Sequence, residues 1–376
     1  MNLEICNDYQ EFNSFVLKNN PTNIMQTSYW AKVKEGDWQA HYLLIKDNNI
    51  IKASAMLLQR HAFGKYSLFY CPRGIICDYK DENVIEESLK LLKEYVTKNN
   101  GFVLRFDPEI AYSIKDCRTL EELANNKDTY NRLTKYARST GLNKDMDASM
   151  QPRFQMVVNL KEDLKSKIKS KKRRLVNDTY LSKRGYEIYI NNTIEGVTEF
   201  ARLSHLTELK QKVALRNEEY FMKMFNAFNK DHLIDIYMAK VNMDELISYA
   251  ENDENEKQRL IALKEELGNV VNTNAIICIY GTNMVQMFYG ASDERLAKYK
   301  AGYKLHYQAM EDAKKKGYEY FNMGGVSGHL DDGLFHFKSE FHAELWEYIG
   351  DFDVVCNSFI YFLFTKALPI YKKLRH

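Results

Sequence analysis

The sequence predicts an α/β protein in which one structural unit is used twice, each copy a mixed sheet covered by helices. Three observations predict it. Residues 38–59 read as strand, turn and strand, with Asp47-Asn48-Asn49 at the turn, and lead to a helical stretch at 84–99 and an apolar strand at 101–107. The same order returns at 274–289, with Gly281-Thr282-Asn283 as the turn, followed by a helix at 299–316 and a strand at 317–322. The chain has 376 residues, 45% hydrophobic and 28% charged, an ordinary globular composition that is long for one core and comfortable for two. A repeated unit fixes the architecture before any single residue is considered.

Each element rests on a local signal. Residues 9–18 form a short amphipathic pattern closed by Asn19-Asn20-Pro21, and a second helix starts within 26–34 with Thr27 or Ser28 as its N-cap. Tyr70-Cys71-Pro72-Arg73-Gly74 is a turn. A strand is expected at 154–160, and the boundary falls just before Gln151-Pro152-Arg153, giving a first domain at 1–149 and a second at 150–345. Within the second, helices are expected at 193–212 and 218–229, joined through residues 213–217, and a strand at 233–240. A short helical hairpin is inserted at 243–268, broken at Asn252-Asp253-Glu254-Asn255 and stopped by Gly268. Hairpin, helix and strand, twice over, suit two acetyltransferase-like (GNAT-like) domains, a class of fold whose sheet often splays beside the strand after the helix and admits acyl-transfer substrates there.

The net charge of +2 dictates no partner, so the distribution of charge matters more than its sum. Residues 165–174 carry seven basic side chains in ten. Such a run is either a solvated helix face or an electrostatic platform for RNA phosphates. The tail joins an apolar run at 358–365 to a basic end at 366–376, which reads as a terminal helix docked on the first domain or as a face that touches an anionic membrane. The six cysteines are scattered without a CxxC, which favours a reducing, cytoplasmic compartment over a redox or zinc motif. The N-terminus lacks the basic and apolar segments of a signal peptide, and no stretch reaches the roughly 18 apolar residues of a membrane span. Gly324, Gly325 and Gly328 match no phosphate-binding loop and read as a tight turn, and His329, His336 and His342 lack metal-site spacing.

Seven motifs then occur in one order: Gln26 to Lys34 ending in Trp30-Ala31-Lys32-Val33-Lys34, Leu104-Arg105-Phe106-Asp107-Pro108-Glu109, Gln151-Pro152-Arg153, Glu219-Tyr220-Phe221, Tyr289-Gly290-Ala291-Ser292, Phe337-Lys338, and Glu347-Tyr348-Ile349-Gly350-Asp351. Together they resemble the Fem-type (FemABX and MurM) peptidoglycan aminoacyltransferases, from about residue 20 onward. The resemblance implies two acetyltransferase-like domains, the first completed by residues 346–376, and the insert at 243–268 as a shortened form of the family's helical arm. It implies transfer of an amino acid (glycine, alanine or serine) from aminoacyl-tRNA to the stem-peptide amine of a wall precursor, either lipid II or UDP-MurNAc-pentapeptide. No cofactor or metal is called for. The setting is the cytoplasm, at the inner face of the membrane if the acceptor is lipid-linked.

The chemistry is aminolysis of an ester. It needs a stabiliser for the tetrahedral oxyanion, a proton acceptor for the attacking ammonium, and cations for the precursor's diphosphate. The resemblance assigns Phe337 and Lys338 to the aminoacyl end of the tRNA, with Lys338 the oxyanion candidate. Lys34 and Arg216 are candidates for the phosphates, Lys32 competes with Lys34 from another helix face, and Tyr220 and Tyr289 resemble substrate-contacting tyrosines. Asp107 is a candidate base or else a structural ion-pair partner of Arg105 or Arg153. Lys169, Lys171, Lys172 and Arg173 are the candidate tRNA contacts. The competing readings are an acetyl-CoA-dependent N-acetyltransferase of the same fold and a non-enzymatic RNA-binding accessory protein. The absence of a Gln/Arg-x-x-Gly-x-Gly/Ala loop opening a helix counts against the first.

Overall fold

The computed structural model describes residues 1–20, 22–211 and 216–375, with side chains at 210, 211 and 367–375 left aside. The chain divides into two compact units, one built from residues 1–155, 325–335 and 345–376 and the other from 156–324 and 336–344.

In the first unit the strands run in the order Asn2–Ile5, Gln39–Asp47, Ile50–Phe63, Tyr66–Cys71, Gly101–Phe106, Phe352–Val355, Arg138–Ser139, and Ile76–Cys77 pairs off the third of them. All neighbours on this path are antiparallel except Tyr66–Cys71 and Gly101–Phe106, which run parallel. Asn48 and Asn49 make the first tight turn with φ of 48° and 64°, the left-handed conformation Asn tolerates best after Gly. The parallel pair is bridged by the helix Glu82–Lys98, which Asp81 caps through Val84 N at 3.1 Å. Val84, Ile85, Leu89, Leu92 and Val96 recur at helical spacing and meet Leu43, Ala55, Phe69, Leu104 and Phe352 of the sheet in one core.

In the second unit the order is Tyr186–Ile190, Ile234–Asn242, Val270–Tyr280, Met284–Ser292, Tyr320–Val326, Phe154–Asn159. The first four are antiparallel, and Met284–Ser292 runs parallel to Tyr320–Val326 across the helix Ala301–Lys315. The helices Met243–Tyr249 and Glu254–Leu267 form the predicted insert between Ile234–Asn242 and Val270–Tyr280, ended by Gly268 at φ 86°.

The first five strands of the two orders match in sequence and direction, but in a different register from the one the sequence suggested. The strand facing the parallel return in the first unit is Tyr66–Cys71, so its counterpart of the hairpin around Gly281–Asn283 is the one that turns at Gly64 and Lys65. The Asn48-Asn49 turn occupies the place where the second unit carries its helical insert.

Two further expectations are corrected, and one assignment is new. Gly324 and Gly325 lie within the strand Tyr320–Val326 and not in a turn, and that strand starts after 317. Phe337 and Lys338 sit on the short helix Gly333–Ser339. The basic run is neither one helix nor one face: Leu164–Lys167 is a helical turn and Ser170–Val176 a 3₁₀ segment, with Ile168, Leu175 and Val176 turned into the core. The helices Ile194–Gln211 and Glu218–Asn229 are present, and of the expected connection at 213–217 residues 213–215 lie outside the described residues.

Candidate functional site

Each unit carries its own set of candidate residues. In the first, the helix Ser28–Lys34 buries Trp30 and turns the half-buried Lys34 back over it, with Nζ 4.7 Å from the indole centroid, as the i, i+4 spacing requires. Lys32 lies exposed on another face. This helix is braced from its N-terminal side. The Gln26 amide donates to Met56 O and Pro72 O at 3.2 and 2.8 Å and accepts from Met56 N at 2.8 Å, and Asn23 donates to Arg73 O at 2.7 Å.

The same brace therefore holds the segment that faces Asp107. Arg73 is buried with φ 53° and its N–H donates to Asp107 Oδ1 at 2.8 Å; its guanidinium lies 3.5 Å from Oδ2, and Tyr70 OH donates to Oδ1 at 2.9 Å. Arg73 also donates to Pro152 O at 3.1 Å and stands 4.4 Å from the Tyr348 ring centroid. The sequence-based partners for Asp107 are both engaged elsewhere: Arg105 grips Asp353 through two bonds of 2.7 Å, and Arg153 pairs with Glu347 at 2.9 Å. Asp107 is 1% exposed. Burial pushes its carboxyl up to about 7, Arg73 pulls it down, and Asp351 pushes it up. It lies beneath the surface of its unit in an ion pair, as one of its two sequence readings has it, with Arg73 as the partner in place of Arg105 or Arg153. Arg73 and Tyr70 were missed, and the only trace they left in the sequence was the turn they form.

In the second unit the structure brings Arg216, Tyr220 and Tyr289 together. The Arg216 guanidinium stands 4.9 Å from the Tyr220 ring, and the Tyr220 and Tyr289 centroids are 6.2 Å apart. Asn217 caps the helix Glu218–Asn229 by accepting from Tyr220 N at 3.1 Å, which fixes the tyrosine beside the arginine. Burial and the neighbouring Tyr289 hydroxyl hold the Tyr220 phenol well above its usual range, so it stays neutral.

Phe337 belongs to a ring cluster with Tyr303, His306 and Phe341 at centroid distances of 5.0, 5.1 and 5.4 Å. The next residue, Lys338, is only 2% exposed. Its Nζ lies 3.7 Å from where a side chain at Gly324 would begin, and Gly324 itself holds φ +83° with Met287 O 3.2 Å from the same point. His306 donates from Nδ1 to Gly302 O at 2.7 Å, and burial lowers its pKa to about 4, with the charge of Lys338 adding to the effect. The imidazole is therefore neutral, and Lys338 is the cation of this dry corner.

The basic segment reaches the same cluster. Lys172 Nζ is 3.6 Å from Glu340 and 5.2 Å from the Tyr303 ring, and Tyr303 OH donates to Glu340 at 3.0 Å. Arg173 turns back on its own chain, donating to Ser166 O and Ile168 O at 2.7 and 3.1 Å. Lys169 and Lys171 are exposed and make no ion pair among the described residues. Of the four predicted RNA contacts, then, two are outward charges, one is built into the ring cluster and one is structural. Among the described residues no three His, Cys, Asp or Glu side chains gather as metal ligands.

Two mixed sheets with this strand order place the chain in the acetyltransferase-like α/β class. A FemAB family model matches residues 8–262 and 244–368, and the chain belongs to the FemAB family. The crystal structure of FemX matches with a TM-score of 0.80 at 20% identity, covering 96% of this chain and 99% of that one. A tandem GNAT protein from the clavulanic acid biosynthesis pathway matches more loosely, with a TM-score of 0.52 at 7% identity over 94% of this chain and 98% of the other. In sequence, the lipid II:glycine glycyltransferase of Staphylococcus epidermidis is 24% identical over 96% of this chain and 94% of its own length. That of Staphylococcus aureus strain MRSA252 is 22% identical over the same shares.

Proposed function

We propose that this protein transfers an amino acid from aminoacyl-tRNA to the stem-peptide side-chain amine of lipid II, building the interpeptide bridge of peptidoglycan. Glycine is the first choice of donor residue, ahead of alanine and serine, and lipid II the first choice of acceptor, ahead of UDP-MurNAc-pentapeptide, because the relatives aligned along nearly their whole length are named for both. The observation that carries the chemistry is the buried Lys338 beside the side-chain-free backbone of Gly324.

The amine nitrogen attacks the ester carbonyl carbon, the carbonyl oxygen gains negative charge, and the bond to the tRNA 3′-terminal oxygen then breaks. The ammonium of Lys338 stabilises that oxyanion, and Phe337 lines the place of the aminoacyl group. The ammonium of the acceptor gives one proton to solvent before attack, the nitrogen gives up a second as the amide forms, and the leaving 3′ oxygen takes up one proton. Arg216, with Tyr220 and Tyr289 flanking it, is the phosphate-binding candidate of the second unit, and Lys34 over Trp30 that of the first. Asp107 acts through Arg73, as a positioning residue. Lys169 and Lys171 meet tRNA phosphates. Donor and lipid-linked acceptor meet on the cytoplasmic face of the membrane.

The test is transfer of radiolabel from glycyl-, alanyl- and seryl-tRNA to lipid II and to UDP-MurNAc-pentapeptide, with labelled acetyl-CoA as the competing donor. Glycyl transfer to lipid II is expected; label arriving only from acetyl-CoA would refute the proposal.

A further inference from the structure

Over residues 358–366 the helix Ser358–Arg375 presents two unlike faces. Ile360 and Tyr361 are buried against Phe102 and Val103, the Phe364 ring lies 5.1 Å from that of Phe102, and Tyr361 OH donates to Asp353 at 2.8 Å. Phe359, Phe362, Leu363 and Lys366 fall at i, i+3, i+4 and i+7, which is one face. The three apolar members of that row are 69%, 57% and 41% exposed. Phe63, also exposed and 5.9 Å from Phe102 between ring centroids, stands at the end of the hairpin that turns through Gly64 and Lys65.

Single exposed apolar residues need no explanation, but a helical row of them does. Cations border the row: Lys366 Nζ is 5.9 Å from the Phe362 ring and Lys65 Nζ 5.7 Å from the Tyr66 ring. From 358 to 376 the sequence carries Lys366, Lys372, Lys373 and Arg375 and no Asp or Glu. A second copy of this chain would bring like charges together across a two-fold contact, whereas an anionic surface complements them. No helix among the described residues is long and apolar enough to cross a bilayer, so contact with one is peripheral.

We propose that this face docks on the headgroup layer of an anionic lipid bilayer, with Phe359, Phe362 and Leu363 entering the acyl boundary and Lys366 and Lys65 meeting lipid phosphates. The choice of a lipid partner rests on the lipid-linked acceptor proposed above; the exposed row and its charge do not. Contact through so few apolar residues is reversible, which suits an enzyme that must also exchange tRNA.

Flotation of the full chain with vesicles that contain no wall precursor separates this idea from the transferase reading. Retention by phosphatidylcholine vesicles with about 30% phosphatidylglycerol, and not by pure phosphatidylcholine, is expected, weakening as salt screens the lysines. Phe359→Asp with Phe362→Asp lowers the partition coefficient about 100-fold. Lys366→Glu, a gentler change at an exposed site, lowers it about 30-fold. Both variants keep the wild-type melting temperature. Failure of the wild type to bind anionic vesicles, equal binding to neutral ones, or undiminished binding by both variants overturns the proposal. So does a dimer that Phe359→Asp with Phe362→Asp dissolves while vesicle binding is unchanged, which assigns the face to a second copy.

Discussion

Replacing Lys338 by Met separates what this residue does for folding from what it does for chemistry. The side chain is 2% exposed on the helix Gly333–Ser339, so Met fills nearly the same volume and removes a buried charge. Lys338 has a partner in the fold, and removing one member of a buried polar pair costs stability, so the melting temperature is recorded beside the rate. In the reaction, an ammonium about 3 Å from a full oxyanion at an effective dielectric of about 20 contributes about 5.5 kcal/mol. Part of that is already present against the ester carbonyl of the ground state, so about 3–4 kcal/mol is specific to the transition state, in line with the loss of one oxyanion donor. Single-turnover transfer from saturating glycyl-tRNA should therefore slow by 10²- to 10³-fold, roughly, with acceptor KM little changed. A second readout is independent of activity. The Lys338 charge contributes to holding His306 near a pKa of about 4, so its removal should raise the His306 value in an NMR titration. A loss of rate below about tenfold, or a fall in rate that tracks a fall in Tm, would refute the assignment of Lys338 to the oxyanion.

Other outcomes follow from the same geometry. Asp107, raised to about 7 in the folded state, binds its proton more tightly there than in the unfolded chain. Its stabilising contribution is complete below the ordinary carboxylate range and is lost as pH rises through about 7, so wild-type stability should fall across pH 5–7 relative to Asp107→Asn, by up to about 1.4 kcal/mol per pH unit in denaturant titrations. The Asn variant should be less stable overall, because Arg73 loses its partner. Gly324→Ala forces a side chain into left-handed backbone beside Met287 O, and should cost about 1–2 kcal/mol in thermal melts and reduce transfer. Lys169→Ala with Lys171→Ala should weaken tRNA binding and flatten its salt slope by about 1.4–1.8; an unchanged slope would mean the segment is only solvated. Arg216→Lys should raise acceptor KM more than it lowers kcat, since the fork that stands 4.9 Å from Tyr220 becomes a point charge.

Much of the fold was legible in short-range chemistry. Asn48-Asn49 and Gly268 each mark a boundary that backbone preferences alone enforce, whereas the Asp81 cap, which starts the helix two residues before the expected 84, was not read. The helical insert was read correctly because its break and its stop are both local. The repeat was found but shifted by one strand, because Gly64-Lys65 sits in a stretch of mixed polar and apolar residues, 59–67, and gives a weaker turn signal than two asparagines. The helix carrying Phe337 and Lys338 gives little signal in the sequence, and forms because Asp332 accepts from Phe335 N at 2.6 Å and the rings pack on Tyr303 and His306. Trp30 and Lys34 could be paired by spacing alone. The Arg73–Asp107 pair could not, since it joins positions far apart in sequence through a buried turn, and no periodicity announces a long-range ion pair.

The central claim is that this FemAB-family chain adds an amino acid to the stem peptide of the wall precursor. Mass spectrometry of peptidoglycan fragments from cells with the protein, without it, and with Lys338→Met in its place tests that claim most directly. Loss of the added residue from the stem-peptide amine in the second and third cases, restored by the wild type, is the predicted result. Fragments of identical composition in all three would contradict the account.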